Sequence, residues 1–262
     1  MKKPEVAVLK SSGTNCDEET KIAFELAGGN AKIVHTQELY AKKKSLDSYH
    51  IVVFPGGFSY GDDIAAGKVW ATEIKHFFIE KLEKFIKEGK LVLGICNGFQ
   101  VLAKLGLLPA LDCKMEQSVS LIFNDSARYE DRWVYLKKSS KKSIFVKDLD
   151  GLLYIPVAHA EGKFITKDDG TLAQLFENNQ VVFQYVNKDG HLNGYPANPN
   201  GSIGNIAGIC DRTGRILGMM PHPERAVLKT HYPNWRRNRI KERIMGVTII
   251  KNALNYAKKT LL

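Results

Sequence analysis

Leu91-Val92-Leu93-Gly94-Ile95-Cys96-Asn97-Gly98-Phe99-Gln100-Val101-Leu102 is the stretch from which the fold can be read. Five apolar residues in a row fit a strand buried on both faces, as in a parallel sheet. From Asn97 the pattern changes to a helix that runs through Leu105. Between the two, Gly94-Ile95-Cys96-Asn97-Gly98 makes a G-x-C-x-G turn, the cysteine version of a nucleophile elbow, in which flanking glycines permit a sharp strand-to-helix turn. Such a turn sets Cys96 at the C-terminal edge of the sheet, where open α/β sheets place ligands, and over a helix N-terminus, which favours a thiolate. A buried, inert thiol also satisfies this motif taken alone.

Upstream of this turn, residues 5–10, 31–35 and 51–54 read as short buried strands. Residues 17–27 read as a helix with Ile22, Ala23 and Leu26 on one side, stopped by Gly28-Gly29. Residues 68–88 read as one long helix with Trp70, Ile74, Phe77, Phe78 and Phe85 towards the core. The resulting alternation predicts an α/β fold: an open, mostly parallel sheet with helices on both faces. Downstream, residues 133–136, 152–157, 181–186, 205–210 and 216–220 read as strands joined by turns, which predicts an antiparallel extension. Residues 237–256 return to helix, with Ile240, Ile244, Val247, Ile250 and Leu254 on one face. With no internal repeat and no low-complexity linker, the 262 residues are expected to form a single domain, residues 1–262.

A base able to serve Cys96 stands in Met219-Met220-Pro221-His222-Pro223-Glu224. Pro223 biases His222 towards an extended backbone, and in an extended segment residues i and i+2 point the same way. Glu224 can then orient and charge the imidazole of His222, as the third member of a triad does. A tetrahedral intermediate also needs donors. The N–H of Asn97 is one, and Pro55-Gly56-Gly57, directly after the strand at 51–54, can supply another.

The four cysteines are scattered without a C-x-x-C pair, which argues against a zinc site or a disulfide framework. The seven histidines show no H-x-x-x-H or H-E-x-x-H spacing, so no catalytic metal is expected. The N-terminal apolar run is too short for a signal peptide and no stretch approaches a membrane span; we expect a cytoplasmic chain with no membrane partner. The formal charge is +10. Five lysines between residues 137 and 147, and a second basic run from Lys229 to Arg243, suit either an acidic partner or two solvated faces. Neither run interleaves aromatic residues as nucleic-acid platforms do, so no nucleic-acid partner is expected.

A cysteine elbow, a His-x-Glu pair and a PGG loop together resemble class I (triad-type) glutamine amidotransferases. Longer strings are similar to the glutaminase subunits of phosphoribosylformylglycinamidine synthases: GTNCD at residues 13–17, PGGFSYGDD at 55–63, GICNGFQVL at 94–102, PVAHAEGKF at 156–164, NPNGS at 198–202 and GMMPHPERA at 218–226. The resemblance implies a flavodoxin-like fold, Cys96 as nucleophile with His222 and Glu224, and the backbone amides of Gly57 and Asn97 as oxyanion hole. It implies glutamine as substrate, with Gln100, Gly56, His159 and Glu161 in its pocket. It also implies a separate synthetase subunit that carries ATP and Mg, a small accessory subunit bridging the two, and no cofactor in this chain, which lacks a G-x-x-x-x-G-K-[ST] loop. Departures from the usual pattern are Ser11-Ser12 in place of an aromatic–proline pair, Ala160 in place of Gly, and the basic segment from Lys229 to Arg243.

Overall fold

The computed structural model describes residues 2–111, 115–233, 235–236 and 245–262. In chain order the elements are β1 (Glu5–Lys10), α1 (Asp17–Leu26), β2 (Asn30–His35), α2 (Thr36–Tyr40), β3 (Ile51–Phe54), α3 (Lys68–Phe77), α4 (Ile79–Lys87), β4 (Leu91–Ile95), α5 (Asn97–Lys104), β5 (Val119–Ile122), β6 (Glu130–Lys138), β7 (Leu153–His159), β8 (Lys163–Thr166), α6 (Asp169–Glu177), β9 (Val181–Val186), β10 (Ile206–Cys210), β11 (Ile216–Met219) and α7 (Met245–Thr260). Among the described residues nine strands form one sheet in the order β2-β1-β3-β4-β11-β10-β9-β6-β7. The first five are parallel to one another, and from β11 to β7 every pairing is antiparallel.

The continuous apolar runs of β1, β3 and β4 are buried on both faces, as a sheet covered on two sides requires. β11 is the last strand in the sequence, yet it pairs with β4 in parallel, Gly218 opposite Gly94 and Met219 opposite Ile95. Four neighbouring strands, β1, β3, β4 and β11, therefore end side by side, and the loops after them carry Ser11–Cys16, Gly56-Gly57, Cys96 and His222. The antiparallel half reaches the same edge. Carbonyl oxygens of β7, at Pro156 and Ala158, accept from the His222 N–H (2.8 Å) and the Cys96 thiol (3.6 Å). A separate ribbon of β5 and β8 covers α5, with Phe164 stacked on Phe99 at 6.2 Å.

The parallel sheet, its antiparallel extension and most strand positions agree with the sequence. Four details differ. The helix expected over residues 68–88 is broken at Phe78, whose φ of −143° leaves the helical region and separates α3 from α4. Phe77 is then turned outwards, 57% exposed, against the ring of Tyr40 at 5.5 Å. Ile22 and Leu26 of α1 are about half exposed, and the helix packs instead through Thr20, Ala23 and Phe24. The ribbon β5–β8 and helices α2 and α6 carried too little periodicity to be anticipated. Of the C-terminal helix expected over 237–256, residues 237–244 lie outside the described residues; from Met245 on, α7 buries Ile249, Ile250, Ala253 and Leu254. No helix among the described residues is long and apolar enough to cross a membrane.

Candidate active site

Cys96 occupies the turn between β4 and α5 with φ 50° and ψ −106°, a backbone that a non-glycine residue adopts only under strain of roughly 1–3 kcal/mol. The glycines around it make the turn possible by permitting close approach. A methyl group on Gly98 would lie 1.9 Å from the Phe54 carbonyl oxygen, so only glycine lets α5 start against β3. The Cys96 N–H donates to the Met219 carbonyl at 2.8 Å, tying the elbow to β11. Asn97 opens α5, where a backbone N–H has no acceptor within the helix, and is available to an anion above Cys96.

β11 delivers the second group. His222 has an extended backbone, φ −101° and ψ 90°, as Pro223 requires, but from Pro223 the chain enters a 3-10 turn (Pro223–Ala226). The extended i, i+2 geometry expected for the His-x-Glu pair is thus replaced by a turn, and the contact survives: His222 Nδ1 lies 2.6 Å from Glu224 Oε1. Both side chains are essentially inaccessible to solvent. Burial acts to lower the pKa of His222. The Glu224 carboxylate and the neighbouring Cys96 and Cys16 sulfurs outweigh it, and the imidazole titrates well above the usual histidine value. His222 Nε2 is buried with no hydrogen-bond partner among the described residues, which leaves it free for a reacting group.

The two halves of the site meet over Gly56. A Cβ placed there would be 2.8 Å from His222 Cε1, 3.1 Å from Cys16 Sγ and 3.5 Å from Cys96 Cβ. The Gly56 carbonyl accepts from the Cys16 N–H at 3.3 Å. In a trans peptide the N–H of Gly57 then points to the opposite side. Gly57 itself has φ 140° and is packed against the backbone of Thr14 and Asn15. Cys16, which sequence reading left without a role, therefore touches the back of the site. Burial pushes its thiol up to about 11. Its proximity could not be read from spacing, because it depends on β1 lying beside β3.

The remaining expected pocket residues are placed differently from one another. Gln100 is buried on α5 and donates to the Glu161 carbonyl at 2.6 Å, while its Oε1 accepts from Asn97 Nδ2 at 3.0 Å. The Glu161 carboxylate accepts from the Ala66 N–H at 3.2 Å. Asn97 also holds the loop after β3, its Oδ1 accepting from the Ser59 N–H at 3.3 Å and its Nδ2 facing Asp62 Oδ1 at 3.3 Å. Burial, together with the Glu161 charge, raises the Asp62 carboxyl to about 6. His159 is 3% exposed and both ring nitrogens are engaged, Nδ1 with Asn124 Oδ1 (3.1 Å) and Nε2 with Asn200 Nδ2 (3.4 Å). Burial, reinforced by the His222 charge, pushes His159 down to about 3, so its ring stays neutral.

Comparison with known proteins gives the same direction as this geometry. The family described as CobB/CobQ-like glutamine amidotransferase domain matches residues 3–257. The phosphoribosylformylglycinamidine synthase subunit PurQ of Methanococcus maripaludis is 44% identical over 270 residues, covering 98% of this chain and 99% of that protein. Its namesake from Dehalococcoides mccartyi is 44% identical over 261 residues, covering 99% and 100%. Among solved structures, the PurLQS complex of Thermotoga maritima contains a chain that superposes with a TM-score of 0.74 at 30% identity, over 97% of this chain and 99% of that one. A full-length match of this kind, joined to an elbow cysteine beside a buried His–Glu pair, means that the chain belongs to the CobB/CobQ-like glutamine amidotransferases and, within them, to the PurQ subunits of phosphoribosylformylglycinamidine synthase.

Proposed function

We propose that this chain hydrolyses glutamine and delivers the ammonia to a synthetase subunit that makes formylglycinamidine ribonucleotide in purine biosynthesis. The observation that carries the reading is the buried His222–Glu224 pair, with Nε2 of His222 unpartnered among the described residues, just past the strand that pairs with the one leading into the elbow of Cys96.

The chemistry follows from the arrangement. The Cys96 thiolate attacks the side-chain carbonyl carbon of glutamine. Negative charge then develops on the carbonyl oxygen, where the N–H groups of Gly57 and Asn97 stabilise it; one such donor is worth roughly 10²–10³-fold in rate. The imidazolium of His222 gives its proton to the departing nitrogen, ammonia leaves, and a γ-glutamyl thioester remains on Cys96. His222, now neutral, takes a proton from water as the water attacks the thioester, and glutamate is released. Glu224 keeps the imidazole oriented and favours its charged form. Gln100, Gly56 and Glu161 shape the glutamine pocket, and His159 supports it through Asn124 and Asn200.

One hydrophobic core among the described residues supports the reading of residues 1–262 as a single amidotransferase domain. ATP and Mg belong to the synthetase subunit, a small accessory subunit completes the assembly, and the chain works in the cytoplasm. The reading is tested by treating the chain with a glutamine-like electrophile and locating the adduct by peptide mass spectrometry. Labelling of Cys96, suppressed by glutamine, is expected. Labelling spread over Cys16 and Cys210 without protection by glutamine would refute it.

A further inference from the structure

Behind the catalytic histidine lies a group of side chains that the proposed chemistry uses only in part. Cys16, Glu19, His222 and Glu224 each offer one potential ligand atom, and these atoms all lie within 4.8 Å of one another. Cys16 caps α1 and Glu19 follows three residues later, so both fall on one face of the helix start. His222 and Glu224 arrive from the other direction, off β11. Glu224 Oε2 is buried without a hydrogen-bond partner among the described residues, and so is His222 Nε2. An orphaned carboxylate oxygen inside the protein is costly unless a donor or a cation reaches it.

One cation already borders the cluster. The Arg225 guanidinium lies 3.3 Å from Cys16 Sγ and 2.8 Å from Glu19 Oε1. With Cys16 ionised and His222 neutral, as a metal ligand must be, the cluster would hold three negative groups, Cys16, Glu19 and Glu224, against the single charge of Arg225. A divalent cation brings the sum to zero. A cavity of about 490 Å³, bounded by Ile22, Trp133, Leu228 and Arg225, reaches Glu19 and Glu224 and provides the way in.

We propose that this cluster is an inhibitory site for a thiophilic divalent cation of the Zn²⁺ type, bound by the Cys16 thiolate, the His222 imidazole and the carboxylates of Glu19 and Glu224. Thiolate, imidazole and carboxylate are the zinc donor set. A tetrahedral ion with bonds of about 2.0–2.3 Å holds its ligands roughly 3.3–3.8 Å apart, so side-chain movements of about 1 Å close the site. Binding forms metal–sulfur and metal–nitrogen bonds and releases two protons to solvent, one from the Cys16 thiol and one from the His222 imidazolium; nothing is oxidised or reduced. A metal-bound His222 cannot protonate the leaving nitrogen, so the ion stops glutamine hydrolysis without entering the substrate pocket. The inhibition rests on the proposed role of His222; the binding does not.

The two parts are tested separately, because Cys96 could itself capture a thiophilic ion. In the full chain carrying Cys96→Ala, titration with Zn²⁺ should show one site, and Co²⁺ should give a thiolate-to-metal absorption band. Adding Cys16→Ser should remove the band and weaken Zn²⁺ binding by at least about 10-fold, the lower end of what loss of even an outer-shell partner costs. No binding to the Cys96→Ala chain, or unchanged binding after Cys16→Ser, overturns the site. In chains with Cys96 intact, Cys16→Ser should raise the Zn²⁺ concentration for half-inhibition of glutaminase by at least about tenfold. Equal sensitivity overturns the inhibitory role even where the site binds.

Discussion

His222 Nδ1 and Glu224 Oε1 stand 2.6 Å apart in the interior, joined across a turn only two residues long. A neutral imidazole buried next to a carboxylate would leave that charge uncompensated. The carboxylate therefore favours the protonated ring, and the pKa of His222 is raised.

Replacing Glu224 by Gln keeps the shape and removes the charge. Glutamine turnover should fall by roughly 10²–10⁴-fold, with the fold retained by circular dichroism. The raised pKa also has a sign in stability. The ion pair's contribution is fully present below the unfolded histidine value of about 6.5 and is lost as pH rises through the folded value. Without Glu224, burial governs His222 and its pKa drops. The alkaline limb of Cys96 alkylation should accordingly move to lower pH in Glu224→Gln. An unmoved limb with normal turnover would remove Glu224 from the triad.

Two glycines should separate fold from chemistry. Gly98→Ala sets a methyl group 1.9 Å from the Phe54 carbonyl oxygen, backbone against backbone, and should cost more than about 4 kcal/mol or prevent folding. Gly56→Ala meets the edge of the His222 ring at 2.8 Å and the Cys16 sulfur at 3.1 Å, both side chains that can give way. That chain should fold, with glutaminase lowered by up to about 10²-fold because the ring is displaced. Thermal melts and kcat/KM on both variants decide the matter; loss of stability in Gly56→Ala equal to that in Gly98→Ala would contradict it.

His159→Ala should leave Asn124 Oδ1 and Asn200 Nδ2 without their ring partners and cost roughly 1–3 kcal/mol. The KM for glutamine should stay within about twofold of the parent once folded protein is compared, since a twofold change is roughly 0.4 kcal/mol. A large rise in KM at unchanged melting temperature would instead put His159 against the substrate.

The parallel half of the sheet was legible because strands covered on both faces announce themselves as unbroken apolar runs, and the elbow at Cys96 because its glycines flank one cysteine. The pairing of β11 with β4 was not legible: it joins residues 91–95 to 216–219, and no local pattern encodes such a crossover. That crossover brings His222 to Cys96; the His-x-Glu pair offered a base from sequence, but no local pattern placed it beside the thiol. Cys16 was missed for the same reason. The break at Phe78 was hidden because residues 68–88 carry helical periodicity on both sides of it. His159 was expected in the pocket from its motif alone, while its commitment to Asn124 and Asn200 depends on a loop about 40 residues away.

The division of labour between subunits gives the most direct test. In the proposed chemistry Cys96 acts only in releasing ammonia, so the assembled synthase carrying Cys96→Ala should lose glutamine-dependent formation of formylglycinamidine ribonucleotide. Formation from added ammonium salt should continue at the parent rate, because that route bypasses the thiol. The measurement is product formation by the same assembled variant with each nitrogen source in turn. Loss with glutamine and retention with ammonia is the predicted result; equal loss with both, or activity retained with glutamine, would contradict the account.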